Sequence, residues 1–353
     1  MAPQAHGGKG EDGTVSRNSM CMLLVSLVAM LLSGAVAGRK QNDNPFHTEF
    51  RIMEVDGIGK EEGVTRRDPS DVIKVGSTYF VWYTRTTEAS GGYYDASIWY
   101  ATSNDGKHWT ERGKGVDQGD SDDWDAESVF TPNIMIAEGR YYLFYTAIAE
   151  PWTPRFQTAI GIAMSDSPEG PWKKLRHNPV LETGPGEWED NTGGWREAKP
   201  GAAFDSHVVD DACLIVRDGK YWLYYKGRQK GLSPGQTKMG VAIADCPEGP
   251  YRKSELNPVI NSGHEVLVAS WRDGVVALVG RTGPQKNTIQ YASDGLHFSV
   301  KAHIKNPPWA PGAYRPDVFA DTDHGSGFRW GICLGGGKWP YLRRFECDLV
   351  PPE

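Results

Sequence analysis

One two-part phrase, a Tyr-rich strand followed by a hairpin, is written clearly three times along this chain and faintly twice more. The clear strands are Tyr79–Thr84 (YFVWYT), Tyr141–Thr146 (YYLFYT) and Tyr221–Lys226 (YWLYYK), followed by hairpins over Ile98–Gly113, Ile160–Leu175 and Met239–Ser254. Each hairpin turns on Gly106, Gly170 or Gly249 and then places Trp109, Trp172 or Tyr251 two or three residues later. A fourth copy runs from Gly274 through Ile289–Val300, and a fifth from Phe328 to Cys347. Aromatic and β-branched runs bounded by Gly, Pro, Asp and Asn predict one small antiparallel sheet per unit. A unit of that size cannot bury its apolar face alone, so neighbours must stack or close into a ring. The pattern therefore predicts an all-β fold, a five-bladed β-propeller.

A ring of repeats accommodates 353 residues in one large domain. With 38 basic and 45 acidic residues the net charge is −7, which argues against nucleic acid as a partner. The apolar run Cys21–Leu32 is too short to span a bilayer and ends in the small-residue pattern Ser33-Gly34-Ala35-Val36-Ala37. It predicts a signal peptide region over 1–37, with Met20 as an alternative start, and hence a periplasmic or secreted chain with no membrane span. Residues 38–60 read as an N-terminal extension and 61–350 as the propeller. Cys333 and Cys347 flank the last hairpin symmetrically about Pro340. Two readings stand there, a disulfide in an oxidising compartment or buried free thiols.

In a propeller the first strand of each blade lines the central channel, so side chains at the strand heads converge. Asp68 lies eight residues before the turn residue Gly76, and Asp211 lies eight before Gly219. Thr131 stands at the same distance from Gly139 in the second blade, Gly263-His264-Glu265-Val266 falls near that place in the fourth, and Arg315-Pro316-Asp317 in the fifth. A lone Asp at a strand head ordinarily caps backbone N–H groups. Two at matched positions with a His-Glu pair at a third make a costlier set, because like charges held close push a pKa upward. Glycoside hydrolysis uses such a set: one carboxylate activates water and another group protonates the leaving oxygen. His264, beside Glu265, is a candidate proton donor. Most aromatics belong to blade cores, Trp82, Trp99, Trp109, Trp172 and Trp222 among them, whereas Trp188 and Trp195 fall in the Gly/Pro-rich insertion 184–201, where loops on a rigid scaffold carry recognition. Neither H-E-x-x-H nor paired Cys spacing occurs. No cofactor is required by this pattern, and a divalent ion in the channel is compatible with it.

The stretch Glu61–Ser70 (EEGVTRRDPS), the segments Ser128–Pro132 (SVFTP) and Phe204–His207 (FDSH), Lys226-Gly227 and Asn261–Val266 (NSGHEV) together resemble glycoside hydrolase family 117. Those enzymes are α-1,3-(3,6-anhydro-L-galactosidases) acting on agar oligosaccharides and are related to the five-bladed family 43 hydrolases. The resemblance implies an inverting mechanism with Asp68 as general base, Asp211 tuning pKa and holding the sugar, and His264 as the acid, with Glu265 orienting the imidazole or serving as the acid itself. Arg67, Thr131, His207, Lys226, Arg315 and Trp195 are the candidate substrate contacts. Four positions depart from the family pattern. Asp210-Asp211-Ala212 replaces His-Asp-Pro, Asn133 stands where a carboxylate is usual, and Glu127 stands where Arg is expected. The family's helical segment for subunit exchange is shortened here to Gly38–Lys60, which leaves a homodimer open. The implied function is exo-acting release of a terminal α-linked 3,6-anhydro-L-galactose or similar sugar from marine galactan oligosaccharides. A family 43-like arabinofuranosidase or xylosidase and a non-catalytic carbohydrate-binding propeller are the alternatives.

Overall fold

The computed structural model describes residues 44–89, 95–151, 156–190, 196–316 and 325–352. Within them the chain is built of strands and one 3-10 turn at Pro234–Gln236, arranged as a five-bladed propeller. The first blade runs outward from Thr65–Arg67 through Thr78–Thr86 and Ser97–Ser103 to Trp109–Val116. The second uses Ser128–Ala137, Arg140–Ile148, Ala159–Ser165 and Lys173–Lys174, and the third Val208–Arg217, Lys220–Arg228, Lys238–Ala244 and Arg252–Lys253. The fourth runs through Leu267–Arg272, Gly274–Val279, Thr288–Ala292 and Ser299–His303, with Gly325–Ser326 added beside its inner strand. The fifth takes Gly312–Ala313, Phe328–Gly335 and Tyr341–Leu349 from the C-terminal part, and its outer strand is Arg51–Glu54 from near the other end. Register Arg51↔Glu346 to Glu54↔Arg343 covers the outer edge of that blade, an edge that would otherwise present unpaired backbone groups.

Side-chain alternation explains why the ring must close. Each sheet is apolar on both faces, and the buried clusters fall between blades rather than within them. Trp82 of the first blade packs with Ile134 and Leu143 of the second, Tyr142 of the second with Leu223 of the third, and Val81 of the first with Ile332 and Leu342 of the fifth. The Trp82 and Trp172 rings meet edge-on at 5.8 Å across the first pair. Burying each such side chain stabilises by about 1.5–3 kcal/mol, and only a neighbouring blade supplies the contact. The turns at Gly76, Gly139 and Gly219 all take positive φ (61°, 75° and 64°), which is the conformation their two-residue hairpins require.

A polar belt adds to this packing near the axis. Asp71 accepts the Ala313 N–H at 2.8 Å and donates its own N–H to Asn133 Oδ1 at 3.1 Å. Asn133 Nδ2 donates to the Ala212 carbonyl at 2.9 Å, and the Val268 N–H reaches Cys213 Sγ at 3.4 Å. Arg315 Nη1 donates to the Val268 carbonyl at 3.0 Å and stands 3.4 Å from Asp71 Oδ2. The path visits every blade and returns to its start. Hydrogen bonds to charged groups contribute about 1.5–3 kcal/mol each, and here they also fix rotation of one blade against the next.

The cysteines depart from one sequence expectation. Cys333 pairs with Arg343 across the last hairpin, whose centre lies at Lys338 rather than Pro340, so Cys347 is out of register with it. All four described cysteines are free. No helix among the described residues is long and apolar enough to cross a membrane.

Candidate active site

Five residues share one unusual backbone conformation. Asp68 (φ 49°), Thr131 (44°), Asp211 (52°), Glu265 (59°) and Ala310 (43°) are all left-handed, one at the head of each inner strand. L-residues rarely adopt this region, a β-branched Thr least of all, and each instance costs on the order of 1–3 kcal/mol unless the surroundings enforce it. In the second and third blades the cause is a β-bulge, seen as a register shift between Phe130 and Asn133 and between Asp210 and Cys213. In the first blade the break separates Thr65–Arg67 from Ile73–Val75, both paired with Thr78–Thr86. A bulge turns one side chain out of the pleat. The left-handed residue, repeated at the five heads, lines one cavity together with the successors Pro69, Pro132, Ala212, Val266 and Pro311.

Three of the five are carboxylic acids, and their surroundings differ. Asp68 is 7% exposed and accepts the Arg67 Nε–H at 2.8 Å. Asp211 shares the Lys226 ammonium with Asp210, at 2.8 and 2.9 Å. Burial pushes the Asp210 carboxyl up, but Lys226 and the hydroxyls of Thr131 and Thr146, each 2.7 Å away, outweigh it and hold the group below the usual range. For Asp211 burial and the Asp210 charge win over Lys226, and its pKa is raised. The ammonium itself is disfavoured by burial, yet the two aspartates hold its pKa above the ordinary lysine value. Among the described residues no Lys or Arg forms an ion pair with Glu265. Burial and the charges of Asp68 and Asp211 push its carboxyl up to about 8. At neutral pH it therefore carries a proton, while its backbone N–H donates to Asp211 Oδ2 at 3.3 Å.

His264 lies next to Glu265, with Nε2 3.4 Å from Oε1. Burial and the Lys226 charge lower its imidazole to about 3, and its Nδ1 is buried without a hydrogen-bond partner. The imidazole is neutral at working pH, and the proton of the pair resides on the carboxyl. Glu265, not His264, occupies the left-handed head of the fourth blade.

The remaining expected contacts divide. Arg67, Thr131 and Lys226 stand at the acids, as described. His207 packs at 4.5 Å on the Phe156 ring, outside the cavity wall. Arg315 is 1% exposed and belongs to the inter-blade belt, so it is a tie between blades and not a surface for sugar. Trp195 and Asp317 lie outside the described residues. The fifth head is Ala310, five residues before the Arg315 named from sequence, because the inner strand there has only two residues. Its signal was legible: Asp68-Pro69, Thr131-Pro132 and Ala310-Pro311 repeat one X-Pro step. Asn133, unusual by family pattern, bridges Asp71 to Ala212, and Asp210 is occupied by Lys226 and two hydroxyls. Among the described residues no group of three or more His, Cys, Asp or Glu is arranged to hold a metal ion.

The family model "Glycosyl hydrolases family 43" matches residues 64–189. No curated protein sequence matches the chain. Among solved structures, Zg3597, a family 117 glycoside hydrolase produced by the marine bacterium Zobellia galactanivorans, is 30% identical with a TM-score of 0.76, the match covering 87% of this chain and 92% of that one. The GH43_1 enzyme from Xanthomonas citri complexed with xylose matches at TM-score 0.52 and 12% identity, over 80% of this chain and 88% of its own. The Bombyx mori GH32 β-fructofuranosidase BmSUC1 matches at 0.55 and 11%, over 85% and 62%. The last two similarities speak for the fold alone.

Proposed function

Because the chain belongs to glycoside hydrolase family 117, we propose that it is an exported, exo-acting, inverting hydrolase that releases a terminal α-linked 3,6-anhydro-L-galactose or a closely similar sugar from agar-type galactan oligosaccharides. The observation that carries the reading is the meeting of Asp68, Asp211 and Glu265 from three blades on one cavity, with a proton held on Glu265. Inversion needs one ionised and one protonated group on opposite sides of the anomeric carbon. Asp68, oriented by Arg67, takes a proton from water as the water oxygen attacks. The glycosidic C–O bond breaks, and its oxygen takes the proton held by the Glu265–His264 pair. Asp68 ends protonated and the pair ends one proton short, and exchange with solvent restores both. Asp211 touches neither proton; held by Lys226, it adds to burial and Asp68 in disfavouring a charge on Glu265 and offers an acceptor for a sugar hydroxyl. The preference here for Glu265 over His264 as the resting place of the proton revises the expectation drawn from the sequence, for the reason that the imidazole is desolvated beside a cation.

The test incubates the full chain with neoagaro-oligosaccharides, with aryl arabinofuranoside and aryl xyloside as comparators. Asp68→Asn should lose at least about a thousandfold in kcat while binding the oligosaccharide, since the amide keeps shape but accepts no proton. Glu265→Gln should lose activity on the natural linkage and recover it on substrates with good leaving groups. An active Asp68→Asn, or cleavage of the pentosides alone, would overturn the reading.

A further inference from the structure

Of the polar heads, those of the first three blades directly follow residues paired in a ladder, and that of the fourth does not. Arg66 and Arg67, before Asp68, pair with Arg85 and Thr84; Val129 and Phe130, before Thr131, with Ala147 and Thr146; Val209 and Asp210, before Asp211, with Gly227 and Lys226. In the fourth blade pairing begins at Leu267, opposite Leu278, after Glu265 has passed. The nearest paired residue on the other side is Ile260, bridged to Met239. Residues 261–265 thus carry the left-handed Glu265 without a ladder of their own. Such a stretch keeps its orientation only where other groups bind its backbone. Gln285, in the connection between Gly274–Val279 and Thr288–Ala292, supplies them. Its Oε1 accepts the Asn261 N–H at 3.0 Å, and its own N–H donates to Ser262 Oγ at 2.9 Å. One residue so holds two successive members of the stretch, its side-chain amide doing the work of a strand neighbour's peptide group. The connection is itself anchored: Thr288 Oγ1 donates to the Gln285 carbonyl at 2.7 Å, and the Asn287 N–H donates to the Gly280 carbonyl at 2.7 Å. Contact is close, since a β-carbon on Gly283, at φ 88°, would lie 2.3 Å from Ser262 Oγ. From the third blade, the Lys238 carbonyl would lie 2.2 Å from a β-carbon on Gly263. The backbone just before His264 and Glu265 is therefore gripped on two sides.

We propose that Gln285 is a positioning residue for the catalytic acid: it stands in for the ladder that the other polar heads possess and keeps the Glu265 carboxyl aimed at the glycosidic oxygen. It acts through the backbone of Asn261 and Ser262 and not on the sugar. This rests on the reading of the Glu265–His264 pair as the proton donor.

Steady-state kinetics on the full chain tests it with two substrates that share the terminal sugar, a neoagaro-oligosaccharide and a dinitrophenyl glycoside. Dinitrophenolate leaves without needing a proton, so a displaced acid slows the first substrate and spares the second. Gln285→Met keeps the length of the side chain and removes the acceptor. It should lower kcat on the oligosaccharide about tenfold or more, with KM and the dinitrophenyl glycoside rate each changed by less than about twofold. Gln285→Glu retains an acceptor for the Asn261 N–H and should restore the oligosaccharide rate to within about threefold of wild type. Gly283→Ala presses on Ser262 from the same connection and should show the same split between substrates; it decides if Gln285→Met fails to fold. Equal losses on the two substrates, no loss on either, or a Gln285→Glu as slow as Gln285→Met would overturn the positioning role and leave the hydrolase reading standing. A wild type that cleaves pentosides alone would overturn the sugar instead, and the same comparison between alkyl and dinitrophenyl pentosides then decides on Gln285. A wild type that cleaves no glycoside would overturn both.

Discussion

The second and third blades are the same machine with two parts exchanged. In the second, the Tyr145 hydroxyl donates to Asp125 at 3.0 Å, Asn178 Nδ2 donates to that hydroxyl at 3.2 Å, and Lys174 stands 2.7 Å from Asp125. In the third, Tyr225 donates to Asp205 at 2.8 Å, Asn257 to Tyr225 at 3.3 Å, and Lys253 stands 2.6 Å from Asp205. Four residue types recur in one arrangement, around strands that carry the same pattern YxxxY. The blades part company one residue later, where Thr146 is replaced by Lys226, and at the strand head, where Thr131 is replaced by Asp211. Shared positions build the ring and divergent positions hold the chemistry. In a repeat protein the site is therefore best sought where one copy disagrees with its neighbours.

The largest effect is expected from undoing that divergence. Lys226→Thr leaves Asp210 and Asp211 buried without their cation and should cost roughly 3–5 kcal/mol of stability in chemical denaturation. Thr146→Val, at the matching place in the second blade, removes one hydroxyl from Asp210 and should cost about 1–3 kcal/mol. Similar losses at the two positions would mean that the blades are not differentiated as described. The smallest difference is expected between the shared parts. Tyr145→Phe and Tyr225→Phe each leave a buried aspartate one donor short, about 1–3 kcal/mol apiece, and the two losses should agree within about 0.5 kcal/mol with catalysis intact. A loss of activity confined to one of them would show that the frame is not neutral.

What was legible in the sequence follows the same division. The ring is visible because Tyr-rich strands and Gly turns repeat, Asp68 and Asp211 because they stand eight residues before Gly76 and Gly219, and Glu265 because the His264-Glu265 pair falls near the same place in the fourth blade. At Ala310 the methyl group and the two-residue strand that follows offer neither chemistry nor periodicity, and the X-Pro step shared with Asp68-Pro69 and Thr131-Pro132 is the one mark it carries. Arg315 was drawn into the site because a lone arginine near a blade head looks like a ligand for sugar; only the contacts with Asp71 and Val268 reveal a tie. The belt of Asp71, Asn133, Cys213 and Arg315 joins four unlike side chains, so no repeat could announce it. Ring closure by Arg51–Glu54 depends on a partner almost three hundred residues away, beyond the reach of local pattern.

The central claim is that the cavity keeps a glutamic acid protonated beside two aspartates. Its most direct test follows the glutamate carboxyl carbons by NMR in the folded full chain, comparing the wild type with Glu265→Gln. One glutamate signal should titrate near pH 8 and vanish in the variant. A carboxyl raised from 4.5 to about 8 on folding binds its proton more tightly in the native state, so the wild type should lose stability as pH rises through that window, and Glu265→Gln should lose less. All glutamates titrating below about pH 5.5, with no difference between the two proteins, would contradict it.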